Sequence, residues 1–326
     1  MVSSQTIPVV DLARFVDGDA ADQRAFVAAF GLALTEWGFV AVERHGLDRA
    51  ALRGTFSAIE ELFALPDEVK RRFEDPDGGR QRGYTSFGRE RAKDRDVADI
   101  KEFWHVGPEL AVDHPMASRV QPNLWPDDVF PALRPLATRL WQSMFGVASV
   151  LLRALARYLD ADEGELLRMI DGGNTILRMI HYPPPHEAAE IGEGAVWAAA
   201  HEDINLITLL PEATEPGLEL LRRDGTWMPI TPIPGQLIAD TGDMFQRLTN
   251  GVIPSTTHRV LAPPGVRTHR YSMPFFVHPV PDHVLTPLPG FVGEGRPRRW
   301  PDVTAEQYLV ERLRDNGVAH DGRAAG

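Results

Sequence analysis

The chain has 326 residues, of which 43% are apolar and 25% charged, a composition typical of a globular protein with one large or two modest domains. It contains no cysteine, which excludes disulfides, thiolate metal ligands, iron–sulfur clusters and cysteine nucleophiles. The formal net charge of −12 disfavours nucleic acid as a partner, because phosphate binding requires a basic surface.

Neither membrane insertion nor secretion is indicated by the sequence. No apolar run approaches the roughly 18 residues that a membrane helix needs. The first residues lack the charged and apolar regions of a secretory signal. We therefore expect a cytoplasmic protein without a membrane partner, and no pattern indicates an oligomeric state.

The first half of the chain predicts mainly helices. Apolar residues recur at helical spacing from Asp19 to Trp37, after Asp48, after Pro66, from Val129 to Leu159 and from Glu163 to Ile170. Short strands are predicted over 7–12, 39–42 and 100–106. In the last of these, Lys101, Phe103 and His105 share one face, and Glu102 and Trp104 share the other. The polar, aperiodic stretch from Arg80 to Asp99 predicts a long loop.

After Gly173 the pattern changes to short strands separated by turns. Strands are predicted over 175–182, 218–221, 227–230, 236–240 and 270–277. One hairpin is predicted between 218–221 and 227–230, and a second around Asn250-Gly251, between 245–248 and 255–261. A loop over 187–194, a closing helix over 302–314 and a frayed tail complete the chain. Many short antiparallel strands indicate a sandwich or barrel. We therefore divide the chain into a helix-rich region (1–172), a β-rich core (173–280) and a C-terminal extension (281–326).

The segment His201-Glu202-Asp203 carries the first chemical signal. A histidine and a carboxylate two residues apart fall on the same face of an extended strand and could reach one metal ion, while Glu202 should point away. His258, after the predicted hairpin, can supply a third ligand. Two histidines and one carboxylate form the facial triad of non-haem Fe(II) sites. The dipeptide spacing alone occurs by chance in many proteins.

Arg270-Tyr271-Ser272 adds a second signal. In a strand, Arg270 and Ser272 share a face and can bind a carboxylate together, through the guanidinium fork and the hydroxyl. Tyr182 could donate a third hydrogen bond. Alone, the motif would be better interpreted as an ordinary salt bridge beside a strand serine.

Taken together, these motifs resemble the isopenicillin N synthase-like family of 2-oxoglutarate/Fe(II)-dependent dioxygenases. The matching stretches span almost the whole chain: 7–12, 38–39, 45–46, 176–183, 201–203, 242–244, 250–251, 257–260 and 270–276. The region 83–107 resembles a bacterial branch of the family.

The resemblance implies an α+β fold, a distorted double-stranded β-helix (jelly-roll) core flanked by helices. It implies Fe(II) held by His201, Asp203 and His258, with the far carboxylate of 2-oxoglutarate on Arg270 and Ser272. O2 is then reduced, 2-oxoglutarate is converted to succinate and CO2, and a C–H bond of a small-molecule substrate is oxidised.

Two alternatives remain open at this stage. One is an Fe(II)/O2 oxidase like isopenicillin N synthase itself, which retains the Arg-x-Ser pair without using 2-oxoglutarate. The other is a noncatalytic jelly-roll binding protein. The intact triad and the carboxylate-binding pair Arg270 and Ser272, which we call the carboxylate clamp, disfavour this alternative.

Substrate contacts are predicted from aromatic and polar residues near these motifs: Tyr84, Phe87, Phe103, Trp197, Asn205, Arg247 and Phe276. Each also has a structural interpretation, as a core ring, an ion-paired arginine or a turn-capping asparagine. Aromatic rings with an occasional arginine suit a small molecule that carries a carboxylate, such as an amino acid.

Overall fold

We analysed a computed structural model of the protein, which describes residues 6–92, 96–188, 192, 194–231 and 233–316. The predicted loop over 187–194 therefore lies partly outside the described residues, and the predicted tail after 316 lies wholly outside them. Within the described ranges, no helix is long and apolar enough to cross a membrane.

Eight α-helices are present in the described residues. They are α1 (Ala13–Val16), α2 (Ala20–Trp37), α3 (Arg49–Phe63), α4 (Asp67–Lys70), α5 (Leu133–Tyr158), α6 (Glu163–Ile170), α7 (Asp243–Leu248) and α8 (Ala305–Asp315). Two single 3₁₀ turns lie at Arg71–Phe73 and Pro185–Glu187.

The ends of the predicted helices are set by local capping. The Asp19 carboxylate accepts hydrogen bonds from the first turn of α2, and Gly38 ends that helix with a left-handed φ of 69°. Asp48 caps α3 in the same way. Thr304 and Gln307 form a reciprocal capping box at the start of α8. These boundaries follow from residues adjacent in the chain.

Thirteen strands lie in the described residues. They are β1 (Val9–Asp11), β2 (Phe39–Glu43), β3 (Gly83–Thr85), β4 (Glu102–Val106), β5 (Ile176–Tyr182), β6 (Ala198–His201), β7 (Ile207–Pro211), β8 (Leu218–Leu221), β9 (Trp227–Pro229), β10 (Leu237–Thr241), β11 (His258–Val260), β12 (Arg270–Ser272) and β13 (Phe275–Val277).

The strands form a large sheet and a small sheet. The large sheet has the order β1-β2-β10-β7-β13-β5-β4-β3, with β12 also paired to β5. The small sheet has the order β6-β11-β8-β9. One apolar cluster is formed mainly by buried residues of both sheets and fills the space between them. The other joins the opposite face of the large sheet to the helices. The predicted jelly roll flanked by helices is confirmed.

The predicted hairpin around Asn250-Gly251 is wrong. The segment before the turn is helix α7, whose Met244, Phe245 and Leu248 are buried at helical spacing in the helix-side core. Strand β11 pairs instead with β6 and β8. The spacing between Met244 and Leu248 fits one face of a helix as well as one face of a strand. A six-residue segment therefore could not be assigned to helix or strand from its apolar pattern alone.

Two smaller differences also have local causes. The predicted strand 270–277 is divided into β12 and β13 at Pro274, which has no N–H for a sheet hydrogen bond. The predicted loop 80–99 contains β3, which pairs with β4 from Gly83 opposite His105 to Thr85 opposite Phe103.

The large sheet crosses the predicted boundary at residue 172. Strands β1 to β4 precede that residue, yet β2 pairs with β10 and β4 pairs with β5. The division at 172 and 280 therefore separates segments of the chain and not separate sheets; as a division into domains it stays a prediction.

A buried polar cluster joins the large sheet to the helices. Glu102, which is 1% exposed, contacts the Lys70 ammonium at 2.7 Å and His181 Nδ1 at 2.7 Å, and it accepts a hydrogen bond from the Tyr84 hydroxyl. The Lys70 ammonium also donates to the Phe63 carbonyl at 3.1 Å. This carboxylate therefore neutralises a buried cation that has little access to water.

The substitution Glu102→Gln should lower the free energy of unfolding by about 3 kcal/mol or more, because it leaves the buried Lys70 ammonium without its nearest counter-charge. Denaturant unfolding measures the change. Glu61→Gln, on the exposed side of α3, is the matched control. Equal stability of the two variants would contradict this account of the cluster.

Candidate active site

Strands β6 and β11 bring two histidines together. His201 and His258 lie directly opposite each other in the antiparallel pair, with ring centroids 4.4 Å apart. Asp203 follows β6, and its Oδ1 lies 3.9 Å from His201 Nε2 and 3.7 Å from His258 Nε2. One ligand atom from each of the three residues lies within 4.8 Å of the others.

Hydrogen bonds orient all three side chains. His201 Nδ1 donates to the Ala199 carbonyl at 2.7 Å, and His258 Nδ1 donates to the Thr256 carbonyl at 3.1 Å. Each bond places the proton on Nδ1 and leaves the Nε2 lone pair free for a metal. The Thr208 hydroxyl donates to Asp203 Oδ2, which leaves Oδ1 facing the histidines.

The charge state of His201 also suits a metal. Burial, followed by electrostatic repulsion from the neighbouring His258, lowers the pKa of His201 to about 4. His201 is therefore neutral at pH 7, which is the form that coordinates metals. Two imidazoles and one carboxylate fit Fe(II). The prediction of a shared strand face needs one correction, because β6 ends at His201 and Asp203 lies in the segment that follows it.

The predicted carboxylate clamp lies on β12 beside β5. Arg270 is 2% exposed and stands opposite Tyr182, with its guanidinium 4.9 Å from the tyrosine ring. Its Nε donates to the Glu215 carbonyl at 3.1 Å, whereas the buried Nη1 has no partner among the described residues. Ser272 lies two residues further on the same strand and is also buried.

No carboxylate of the described residues forms an ion pair with Arg270. A buried guanidinium with an unsatisfied N–H group is costly unless an anion binds it. The site therefore fits the far carboxylate of 2-oxoglutarate.

A cleft that is open to solvent on one side lies beside the triad. Its walls come from the inner face of the large sheet, the loop before β4 and helix α8. They are lined by Gln81, Glu90, Ile176, Arg178, His201, Glu202, Asp203, Ile204, Asn205, Phe276, His278, Leu309, Leu313 and Asn316. Of the predicted substrate residues, Asn205 and Phe276 lie here.

Five predicted substrate residues lie elsewhere. Tyr84 is buried against the helices and bonds to Glu102. The Phe87 ring lies 6.1 Å from His181, on the opposite face of β5 from the cleft. Trp197 is buried between the sheets and donates to the Pro183 carbonyl at 2.7 Å.

The remaining two are Phe103 and Arg247. Phe103 is also buried between the sheets and reaches the cleft only through Arg178, whose guanidinium lies 4.3 Å from its ring. Arg247 on α7 donates to the Pro301 carbonyl at 2.7 Å and lies over the Tyr308 ring. The structural interpretation therefore describes these five side chains better than a direct substrate contact.

Sequence reasoning missed several residues that line the cleft. Arg178 and Tyr182 share the inner face of β5, because side chains on one face of a strand recur at every second residue. This period of two could have identified Arg178 as a residue that lines the cleft. Glu202, predicted to point away, lines the cleft and accepts a hydrogen bond from Thr257. Glu90 in a polar loop and Leu309 on α8 carried no local signal, because tertiary packing alone brings them to the triad.

Comparison with known proteins agrees with this geometry. Residues 173–279 match the 2OG-Fe(II) oxygenase superfamily, and residues 7–128 match the N-terminal region named for non-haem dioxygenases in morphine synthesis. An Aspergillus fumigatus 2-oxoglutarate-Fe(II) type oxidoreductase is 31% identical, over 96% of this chain and 94% of the relative.

Two solved structures are similar along nearly their full length. A 2OG-Fe(II) oxygenase family protein from Caulobacter crescentus has a TM-score of 0.82 and 38% identity, covering 95% of this chain and 98% of that one. A Neurospora crassa protein in complex with alpha-KG and thymine has a TM-score of 0.83 and 27% identity, covering 96% and 98%.

Two findings favour an enzyme that uses 2-oxoglutarate over an oxidase of the isopenicillin N synthase type. A relative is named for 2-oxoglutarate, and a similar structure holds it. The bacterial branch stays a prediction. The chain belongs to the 2-oxoglutarate/Fe(II)-dependent oxygenases, and is an oxidoreductase that uses Fe(II), 2-oxoglutarate and O2.

Proposed function

We propose that this protein hydroxylates a C–H bond of a small molecule that binds in the cleft beside His201, Asp203 and His258. In the overall reaction, substrate, 2-oxoglutarate and O2 give hydroxylated substrate, succinate and CO2. The observation that carries the proposal is the convergence of both Nε2 atoms on Asp203 Oδ1 at the wall of a cleft.

Each set of residues has a separate task in this proposal. The triad holds Fe(II), and Arg270 with Ser272 binds the far carboxylate of 2-oxoglutarate, beside Tyr182. When bound, the metal and co-substrate supply O2 activation coupled to decarboxylation. Phe276 positions the substrate, whereas the buried Asn205 donates to the Ile207 carbonyl and the Thr208 hydroxyl and so supports the cleft wall. Leu309 and Leu313 of α8 cover the cleft with apolar side chains that exclude water.

The similar structures support a small and uncharged substrate. Structures of the Neurospora crassa protein hold thymine or 5-formyluracil together with alpha-KG.

The proposal is tested first with the purified protein. Under anaerobic conditions, Fe(II) followed by 2-oxoglutarate should produce a charge-transfer absorption band. In air, succinate should form only when iron is present and should increase with a hydroxylated product in a panel of metabolites. Absence of both the band and succinate would exclude the proposed activity; product without succinate would instead indicate an oxidase.

Arg270→Ala should weaken 2-oxoglutarate binding about 10- to 100-fold, because the variant loses charged hydrogen bonds to a carboxylate. Iron affinity should be unchanged, since Arg270 does not contact the triad. Anaerobic titration measures the first quantity and metal analysis the second. The matched control is Arg259→Ala, because this half-buried arginine on the small sheet pairs with Glu219. Loss of iron in the Arg270 variant would mean that its role is misassigned.

Thr208→Val should weaken Fe(II) binding about 10- to 100-fold, because its hydroxyl orients Asp203 without being a ligand itself. Iron titration measures the effect. Thr226→Val, at an exposed turn, serves as the control. Wild-type iron affinity in the Thr208 variant would show that Asp203 is held by other contacts.

A further inference from the structure

We propose that Glu90 and Arg178 form a recognition pair that selects an uncharged substrate group with an N–H beside a C=O, as in an amide, lactam or imide, over a carboxylate. This inference rests on the proposed function, because it assigns the chemical class that the cleft beside the triad accepts. It replaces the carboxylate-bearing substrate predicted from the sequence.

The guanidinium of Arg178 is held in one orientation at the cleft wall. Its Nη1 donates to Glu90 Oε1 at 3.0 Å and its Nε donates to His105 Nε2 at 2.6 Å. The guanidinium carbon lies 4.3 Å from the centre of the Phe103 ring and 5.2 Å from that of Phe276. Among the described residues none accepts a hydrogen bond from Nη2. This N–H group is therefore available to a ligand.

The Glu90 carboxylate complements that donor. Both of its cationic partners, Arg178 and the Lys101 ammonium at 2.6 Å, contact the same oxygen, Oε1. No described residue donates to Oε2, and Glu90 lines the cleft. Burial alone would raise the pKa of Glu90, but the charges of Arg178 and Lys101 outweigh it and lower the pKa, so the carboxylate is ionised.

The charges around the cleft disfavour an anionic substrate. Lys101 is shared between Glu90 and Asp99, which lies 3.0 Å away. Burial lowers the pKa of His278 to about 4, and burial together with Arg178 lowers that of His105, so both rings are neutral at pH 7. Among the described lining residues, Arg178 is thus the cation, and its charge is offset by an adjacent carboxylate.

An amide edge matches this pair in both donor and acceptor. Its carbonyl would accept from Nη2 of Arg178 while its N–H donates to Oε2 of Glu90, so each hydrogen bond is assisted by a protein charge. A carboxylate has no donor for Oε2 and would place a like charge against Glu90. The half-buried Phe276 ring offers an apolar face to a planar group.

The test uses benzamide and benzoate, two planar probes of nearly equal shape. Each is titrated anaerobically by calorimetry into enzyme loaded with Fe(II) and 2-oxoglutarate. Benzamide should bind about tenfold more tightly or better, because it makes two charge-assisted hydrogen bonds where benzoate makes at most one. A preference for benzoate, or no binding of either probe at millimolar concentration, would overturn the inference.

Variants distinguish the contribution of Glu90 and Arg178 to probe selection from nonspecific changes in the cleft. Glu90→Gln should lose the preference for benzamide and bind benzoate more tightly than wild type, because Arg178 then has no adjacent carboxylate. The control variant Glu74→Gln replaces a part-buried carboxylate that pairs with Arg80 away from the cleft. It should keep the wild-type ratio of benzamide affinity to benzoate affinity. An unchanged ratio in Glu90→Gln would overturn the assignment. Arg178→Lys, which loses the planar fork, provides a second variant and should bind benzamide more weakly.

The two proposals fail in different ways. If the enzyme forms the 2-oxoglutarate band and makes succinate but prefers benzoate, the function stands and the recognition pair is wrong. If neither band nor succinate is observed, the proposed function itself is wrong.

Discussion

The proposed metal site depends on one cross-strand contact, the pairing of His258 with His201 between β11 and β6. Residues directly opposite in an antiparallel pair have neighbouring side chains, so this register alone brings the two rings together. The backbone carbonyls of Ala199 and Thr256 then orient each ring from two residues earlier in the chain. A shift of register by one residue would send one histidine to the other face of the small sheet and abolish the site.

The two faces of the large sheet have different roles: the inner face borders the cleft, and the outer face packs against the helices. On β5, Arg178 and Tyr182 point inward to the cleft and the carboxylate clamp, whereas His181 points outward to the helices and bonds to Glu102. Adjacent residues thus have unrelated roles because side chains alternate along a strand. Both faces carry a buried ion cluster, and the inner cluster, around Glu90, adjoins the cleft.

The longer helices were predictable because their signals are local. Caps such as Asp19 and Asp48 act within one turn, and the apolar stripe of α5 repeats over many residues. Short elements were less predictable. Helix α7 was misread as a strand because six residues cannot distinguish the two periods, and β3 was missed because pairing with β4 defines it.

The sequence by itself indicated the jelly-roll class, which is confirmed, and it predicted the metal ligands and the carboxylate clamp, because each of these motifs consists of a few residue types at fixed short spacing. Two of the seven predicted substrate residues, Asn205 and Phe276, reach the cleft. Only the tertiary structure decided that Glu90 stands beside Arg178 and that α8 covers the opening. The physical reason is that charge pairing and cavity shape arise between segments far apart in the chain, whose contacts no local pattern encodes.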